Sequence, residues 1–139
     1  MIMSDFYTPE GDKNKKLFTP LIQNNMLITG ASNIEILKGI KNGKYGYYTQ
    51  TNYNDFINID LQDEYFIRGI KLCFWHFDDR YYTYDCWTSI DNKNWKEIFS
   101  GFDAQCNDTI IIMDTIRYIR LKGKNTKNDF LHIINFKII

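Results

Sequence analysis

The chain has 139 residues, with 17 basic residues against 17 acidic ones, and 17% of it is aromatic. That length fits one domain able to bury a core without covalent staples. A formal charge of zero argues against a nucleic-acid binder driven by bulk electrostatics, and no apolar run reaches the roughly 18–20 residues that span a bilayer.

The opening "MIMSDFYTPEGDKNKK" lacks the basic end and apolar block of a secretory leader. It is polar and carries Pro9 and Gly11, so residues 1–20 are expected to form a flexible arm and residues 21–139 a single domain. "NIEILKGI" (33–40) suits one helical turn. "NGKYGYYTQTNYND" (42–55) reads as a loop whose Tyr45, Tyr47, Tyr48 and Tyr53 suit stacking on sugars, proteins or unpaired bases. Packing of the loop base is an equal reading for one or two of them.

"DFINIDL" (55–61) alternates Ile57, Ile59 and Leu61 against Phe56, Asn58 and Asp60, the period of a half-buried strand. "FIRGIKLCFWHF" (66–77) continues it with Ile70, Leu72 and Phe74 inward. In the loop "HFDDRYY" (76–82), Asp78, Asp79 and Arg80 are candidate contact residues, although a clamp of Arg80 on its own loop, through Asp78, Asp85 or backbone carbonyls, is the preferred reading. Two adjacent carboxylates supply too few of the about 6–8 oxygens that Ca²⁺ takes, so no metal is expected.

"YYTYDCWTSI" (81–90) places Tyr82, Tyr84, Cys86, Thr88 and Ile90 on one face and Trp87 on the other. "DNKN" (91–94) is a turn, and Trp95 opens the returning strand. "TIIIM" (109–113), "IRYIRLKG" (116–123) and "FLHIINFKI" (130–138) are further strands. The last is expected to put His132, Ile134, Phe136 and Ile138 on one side, with His132 buried rather than catalytic. "GKNTKND" (123–129), with Asn125, is expected to close the same end of the fold as the tyrosine loop. Trp75 and Trp87 both fall opposite the aliphatic stripe and would form one aromatic patch if their strands were neighbours.

Six or more short strands with Asn, Asp and Gly turns and no helical crossover predict an all-β antiparallel sandwich. Cys73, Cys86 and Cys106 are odd in number and lack metal spacing, which points to a reducing compartment. Cys73 and His76 are three residues apart, so along a continuing strand they would face opposite ways. Catalysis is not expected.

Four segments in order, "ITGAS" (28–32), "FINIDLQDEYFIRGIKL" (56–72), "YDCWTSIDNKNWKEI" (84–98) and "RYIRLKG" (117–123), resemble the discoidin family, the coagulation-factor type C domains. The resemblance implies a galactose-binding-like jelly roll. "FWHFDDRYYTY" (74–84) and "GKNTKNDFLHIINF" (123–136) further resemble the intracellular branch usually attached to BTB domains. His76 and Lys124 depart from that branch's pattern. The resemblance implies a non-catalytic module without a cofactor. It would be cytoplasmic or cytoskeleton-associated, and docked as a subunit among other proteins of a larger assembly, ciliary or ubiquitin-ligase in type. The alternative is a carbohydrate or small-ligand binder using the loops at one end of the jelly roll. No nucleic-acid partner and no membrane span are expected.

Overall fold

A computed structural model describes residues 16–44, 46–51, 56–77, 81–104, 107–124 and 131–139. After a short helix α1 (Pro20–Asn24) come seven strands: β1 (Leu27–Thr29), β2 (Thr49–Gln50), β3 (Ile57–Phe74), β4 (Tyr82–Ser89), β5 (Lys96–Ala104), β6 (Asn107–Gly123) and β7 (His132–Ile138). They form one antiparallel hydrogen-bonded sheet in the order β2-β7-β3-β6-β4-β5, with β1 on β3.

The segments expected as separate strands are fused. "FINIDL" and "FIRGIKL" are the two halves of β3, and "TIIIM" and "IRYIRLKG" are the two halves of β6. These long strands pair with each other from Ile57↔Leu121 to Cys73↔Asn107. The register slips between Asp60 and Tyr65, where Gln62 has φ +72°, and Met113 on β6 has φ +50°. Slips of this kind bend a strand and increase its twist.

The bends fold the sheet over itself. One half joins β1, the start of β3, the end of β6, β4 and β5. The other joins β2, β7, the end of β3 and the start of β6. Both halves feed one apolar core, in which Ile57, Ile59, Ile119 and Leu121 meet Ile70, Phe74, Ile110 and Ile133. The expected all-β antiparallel sandwich is what the chain forms.

The aromatics of β4 belong to that core. Tyr82 stacks on Phe74 at 4.6 Å, and Tyr84 lies 5.2 Å from Phe74 and 4.9 Å from Phe99. A buried phenol needs a partner for its hydroxyl, and Tyr84 donates to Asp108 at 2.6 Å. Burial and that carboxylate push the Tyr84 hydroxyl far above the ordinary tyrosine range. The hairpin that follows is an Asx turn as expected. The Asp91 carboxylate accepts from the backbone N–H groups of Asn94 and Lys93, and Asn92 takes the left-handed conformation at φ +62°. Those backbone donors hold the Asp91 carboxyl well below its usual range.

Three burial patterns differ from expectation. Ile90 is 47% exposed, because β4 ends at Ser89 and Ile90 enters the turn. On β7 the pairing passes from Cys73↔Asn135 to Phe74↔Ile133. This bulge turns Ile133 inward in place of Ile134. Asp85, on the outer face of β4, is buried because Lys124 Nζ bridges it at 3.0 Å and Ser100 donates to it at 2.7 Å.

Of the expected arm, residues 1–15 lie outside the described residues. Residues 16–19 run beside β3: the Phe66 N–H donates to the Lys16 carbonyl, and Phe18 packs edge-on against Tyr65. Thr19 then caps α1 by accepting from the Ile22 N–H, with Pro20 in the first turn where its missing N–H costs nothing. The buried Gln23 of α1 donates to Leu37 and Phe136 carbonyls, both at 2.9 Å, and accepts from the Ile138 N–H. One satisfied amide therefore ties the helix, the 34–40 turn and β7 together. That turn supplies Ile36 and Leu37 to the core.

Gly30 ends β1 at φ +85°, and a Cβ there would sit 1.8 Å from the Phe56 carbonyl oxygen. Gly30→Ala is expected to destabilise the protein by about 2 kcal/mol or more, through strain and a backbone clash together. Urea unfolding reads this as a lower midpoint at unchanged slope.

Candidate functional site

The antiparallel registers bring several connections to one end of the sandwich. Phe74 closes β3 beside the start of β4, β6 begins opposite Cys73, and β7 begins where the Trp75 N–H donates to the His132 carbonyl at 2.7 Å. β2 reaches the same end by pairing Gln50 with His132. The loop before β2, the loop after β3 and the start of β7 are therefore neighbours; of the 123–129 turn expected at this end, residues 125–129 lie outside the described residues.

Of the candidate residues, Tyr47, Tyr48, Trp75 and Trp87 are described. Tyr45, Tyr53, Asp78, Asp79, Arg80 and Asn125 lie outside the described residues. Tyr48 and Trp75 do come together. The Tyr48 ring lies 4.6 Å from that of buried His132 and 6.3 Å from Trp75, and Trp75 meets Phe77 edge-on at 5.5 Å. The Tyr82 hydroxyl donates to the Trp75 carbonyl at 2.8 Å, fixing the start of the loop to β4. Phe77 and Tyr81 are each 53% exposed at this end. Phe77 was not singled out from sequence. Its place in an apolar run hid it, because only the end of β3 at Phe74 turns it outward.

Beside this cluster lies an open recess of about 400 Å³ bordered by Lys41, Asn42, Lys44 and Tyr47. Gly43 lets this loop approach β7 closely. Its N–H donates to the Ile134 carbonyl, and a Cβ there would meet the Tyr47 carbonyl oxygen at 2.5 Å and Ile134 Cα at 2.9 Å. The Tyr47 hydroxyl donates to Glu35 at 3.2 Å, and Lys41 Nζ lies 5.4 Å from the ring centroid. Burial and the facing Glu35 carboxylate raise the Tyr47 hydroxyl above its ordinary range. Asn135 donates to the Asn42 side-chain oxygen at 2.8 Å, which leaves the Asn42 amide nitrogen available to a ligand.

Trp87 is elsewhere. β6 separates β3 from β4, and Trp87 sits opposite Arg120 on the outer face, with Phe56 edge-on at 5.6 Å. Trp75 and Trp87 thus form no common patch. Their expected pairing required β3 and β4 to be adjacent, which the long β3–β6 pairing prevents.

Cys73 and His76 are closer than a continuing strand allows. β3 stops at Phe74, so the chain turns and Cys73 Sγ lies 4.0 Å from His76 Nδ1. That nitrogen is 2.8 Å from the Phe74 carbonyl, which can only accept. Nδ1 therefore carries the proton, and the ring cannot take one from the thiol through it. Among the described residues no three His, Cys, Asp or Glu side chains gather as a metal cluster would. No described helix is long and apolar enough to cross a membrane.

The family of F5/8 type C domains matches residues 29–136. No curated protein matches the chain. Among solved structures, CBM32-1 from a family 31 glycoside hydrolase of Clostridium perfringens superposes with a TM-score of 0.61 at 18% identity, covering 82% of this chain and 93% of that one. The CBM32 of AlyQ, in complex with 4,5-unsaturated mannuronic acid, gives 0.61 at 19% identity, covering 82% and 92%. CpGH89CBM32-5 from Clostridium perfringens, in complex with GalNAc-β-1,3-galactose, gives 0.62 at 19% identity, covering 86% and 98%. At such identities the likeness shows the fold. The chain belongs to the F5/8 type C domain family.

Tyr48 joins the β2 loop to His132 and Trp75, so its ring is structural cement for this end. Tyr48→Ala is expected to cost about 1–3 kcal/mol, measured by urea denaturation. Ile40→Ala, at a side chain 54% exposed, should stay within about 0.5 kcal/mol.

Proposed function

We propose that this chain is a non-catalytic carbohydrate-binding module that holds a neutral glycan at the loop end of the sandwich. The observation that carries the reading is the recess beside Tyr47, which places an aromatic ring, the Asn42 amide and the Lys41 and Lys44 ammonium groups around about 400 Å³. Sugar recognition needs this combination. A ring surface takes the C–H face of a pyranose, while fixed donors take the hydroxyls.

Fold likeness supports it by analogy only. Modules the chain superposes on carry the CBM32 designation, and one of them holds a galactose-containing disaccharide. The same comparisons favour the glycan reading over the role of a subunit docked in a protein assembly. Nothing in them supports the BTB-associated branch in particular. A reducing, cytoplasmic setting stays within the proposal on the ground that Cys86 is a buried free thiol.

Calorimetric titration with a panel of neutral disaccharides, including galactose- and N-acetylgalactosamine-terminated ones, tests the proposal. Binding on the order of millimolar is expected, weakened up to about tenfold by Tyr47→Ala and also weakened by Asn42→Ala. Silence across the panel, or an affinity indifferent to both substitutions, would overturn it.

A further inference from the structure

A second concavity lies on the outer face of the other half-sheet, between β1, β3, β6 and the tip of the β4–β5 hairpin. It is a trough of about 450 Å³ bordered by Leu27, Asn58, Asp60, Trp95, Tyr118 and Arg120. None of these residues borders the loop-end recess.

The sheet register builds it. Thr29, Asn58, Arg120 and Trp87 are successive cross-strand partners, and Leu27, Asp60, Tyr118 and Ser89 form the next row. Side chains in such rows share one face of the sheet and touch.

Arg120 is held in a fixed plane. Its guanidinium carbon lies 4.1 Å from the Trp95 ring centroid and 4.6 Å from that of Phe56, and its Nε donates to Asn58 Oδ1 at 3.0 Å. Among the described residues, none accepts a hydrogen bond from its two terminal nitrogens. An arginine braced between two rings with its fork unoccupied is prepared for an anion, because the entropy of ordering the side chain is already spent.

The surrounding charges favour the same sign of ligand. Among the described residues, Asp60 is the one carboxylate bordering the trough, and it is occupied. Arg117 Nε and Nη2 donate to its two oxygens at 2.9 and 3.2 Å. Burial tends to raise the Asp60 carboxyl, but Arg117 and the Gln62 N–H outweigh it and hold it below its ordinary range. Lys122, on the same face, lies 4.9 Å from the Phe56 ring, and no described carboxylate pairs with it. Glu97 stands two strands from Arg120, beyond Trp87.

We propose that this trough is a binding site for a carboxylate-bearing sugar, a uronic acid residue. The carboxylate lies in the plane of the Arg120 fork and accepts from both terminal nitrogens. The pyranose ring rests against Tyr118 and Leu27, a side chain 56% exposed with no role in the core. Planar, paired oxygens match guanidinium geometry. The apolar wall distinguishes a sugar acid from a bare inorganic anion, which would gain nothing from Leu27 or Tyr118. The site stands independently of the loop-end reading.

The test is amide and indole NMR of the full chain titrated with digalacturonate, with its methyl ester, and with inorganic phosphate. Digalacturonate should shift the Asn58, Tyr118 and Arg120 amides and the Trp95 indole N–H. The ester should bind at least about tenfold more weakly, and Arg120→Lys should lose a similar factor because an ammonium cannot replace the fork. Should Arg120→Lys disturb folding, Leu27→Glu adds a repelling charge at an exposed rim and should abolish the shifts while leaving the fold intact. Three results would each overturn the proposal: equal binding of the ester, the same shifts from phosphate alone, or shifts confined to residues 41–50.

Discussion

The pairing of β3 with β6 is the constraint on which everything else depends. Two strands of 18 and 17 residues run antiparallel along their whole length, and each belongs to both halves of the sandwich. A flat pair of that length could not enclose a core. The slip near Gln62 and the left-handed Met113 bend it, so residues 57–61 and 70–74 of one strand reach the same interior from two sides. The remaining strands add to the edges this ribbon offers. The same ribbon decides that β3 and β4 never touch, which sends Trp75 to the loop end and Trp87 to the outer face.

Once that ribbon is set, a few satisfied polar groups fix the peripheral pieces. Gln23 binds three backbone groups from the 34–40 turn and β7, in surroundings where a lost partner would cost the full desolvation of an amide. Asp85 is buried with Lys124 and Ser100. Its removal by an apolar residue of similar size is a milder change than removal of either partner alone, since a buried charge without a counterpart is the costly state. These contacts hold the bases of the loops, so side chains that border the recess, such as Tyr47, stand on a scaffold already ordered. Preorganisation of this kind lets a shallow site bind at all.

Much of this was legible in the sequence, and the misses have identifiable causes. Alternation in "DFINIDL" and "IRYIRLKG" marked the inward residues correctly, because a half-buried strand has no other way to satisfy both faces. The turn at Asp91–Asn94 was equally plain from its side-chain chemistry. Periodicity failed wherever the backbone slipped by one residue. The bulge opposite Cys73 and Phe74 brought Ile133 inward instead of Ile134, and no pattern in "FLHIINFKI" announces it. Period-two reasoning also assumed that β3 continued past Phe74, which set Cys73 and His76 apart although they lie 4.0 Å from each other. The clustering of Tyr48, Trp75 and His132 was not readable, since it depends on which strand ends meet. The Arg120 stack was hidden for the same reason. Residues 56, 95 and 120 meet only through the register.

The glycan reading joins a fold shared with the CBM32 structures to a recess whose lining suits a sugar, and its central claim concerns place. Crystals of the protein soaked with a galactose-terminated disaccharide test that claim most directly. The account predicts density for a pyranose ring in the recess formed by Lys41, Asn42, Lys44 and Tyr47, next to the Tyr48–Trp75 cluster. A well-occupied disaccharide anywhere else on the domain, with that recess filled only by solvent, would contradict it.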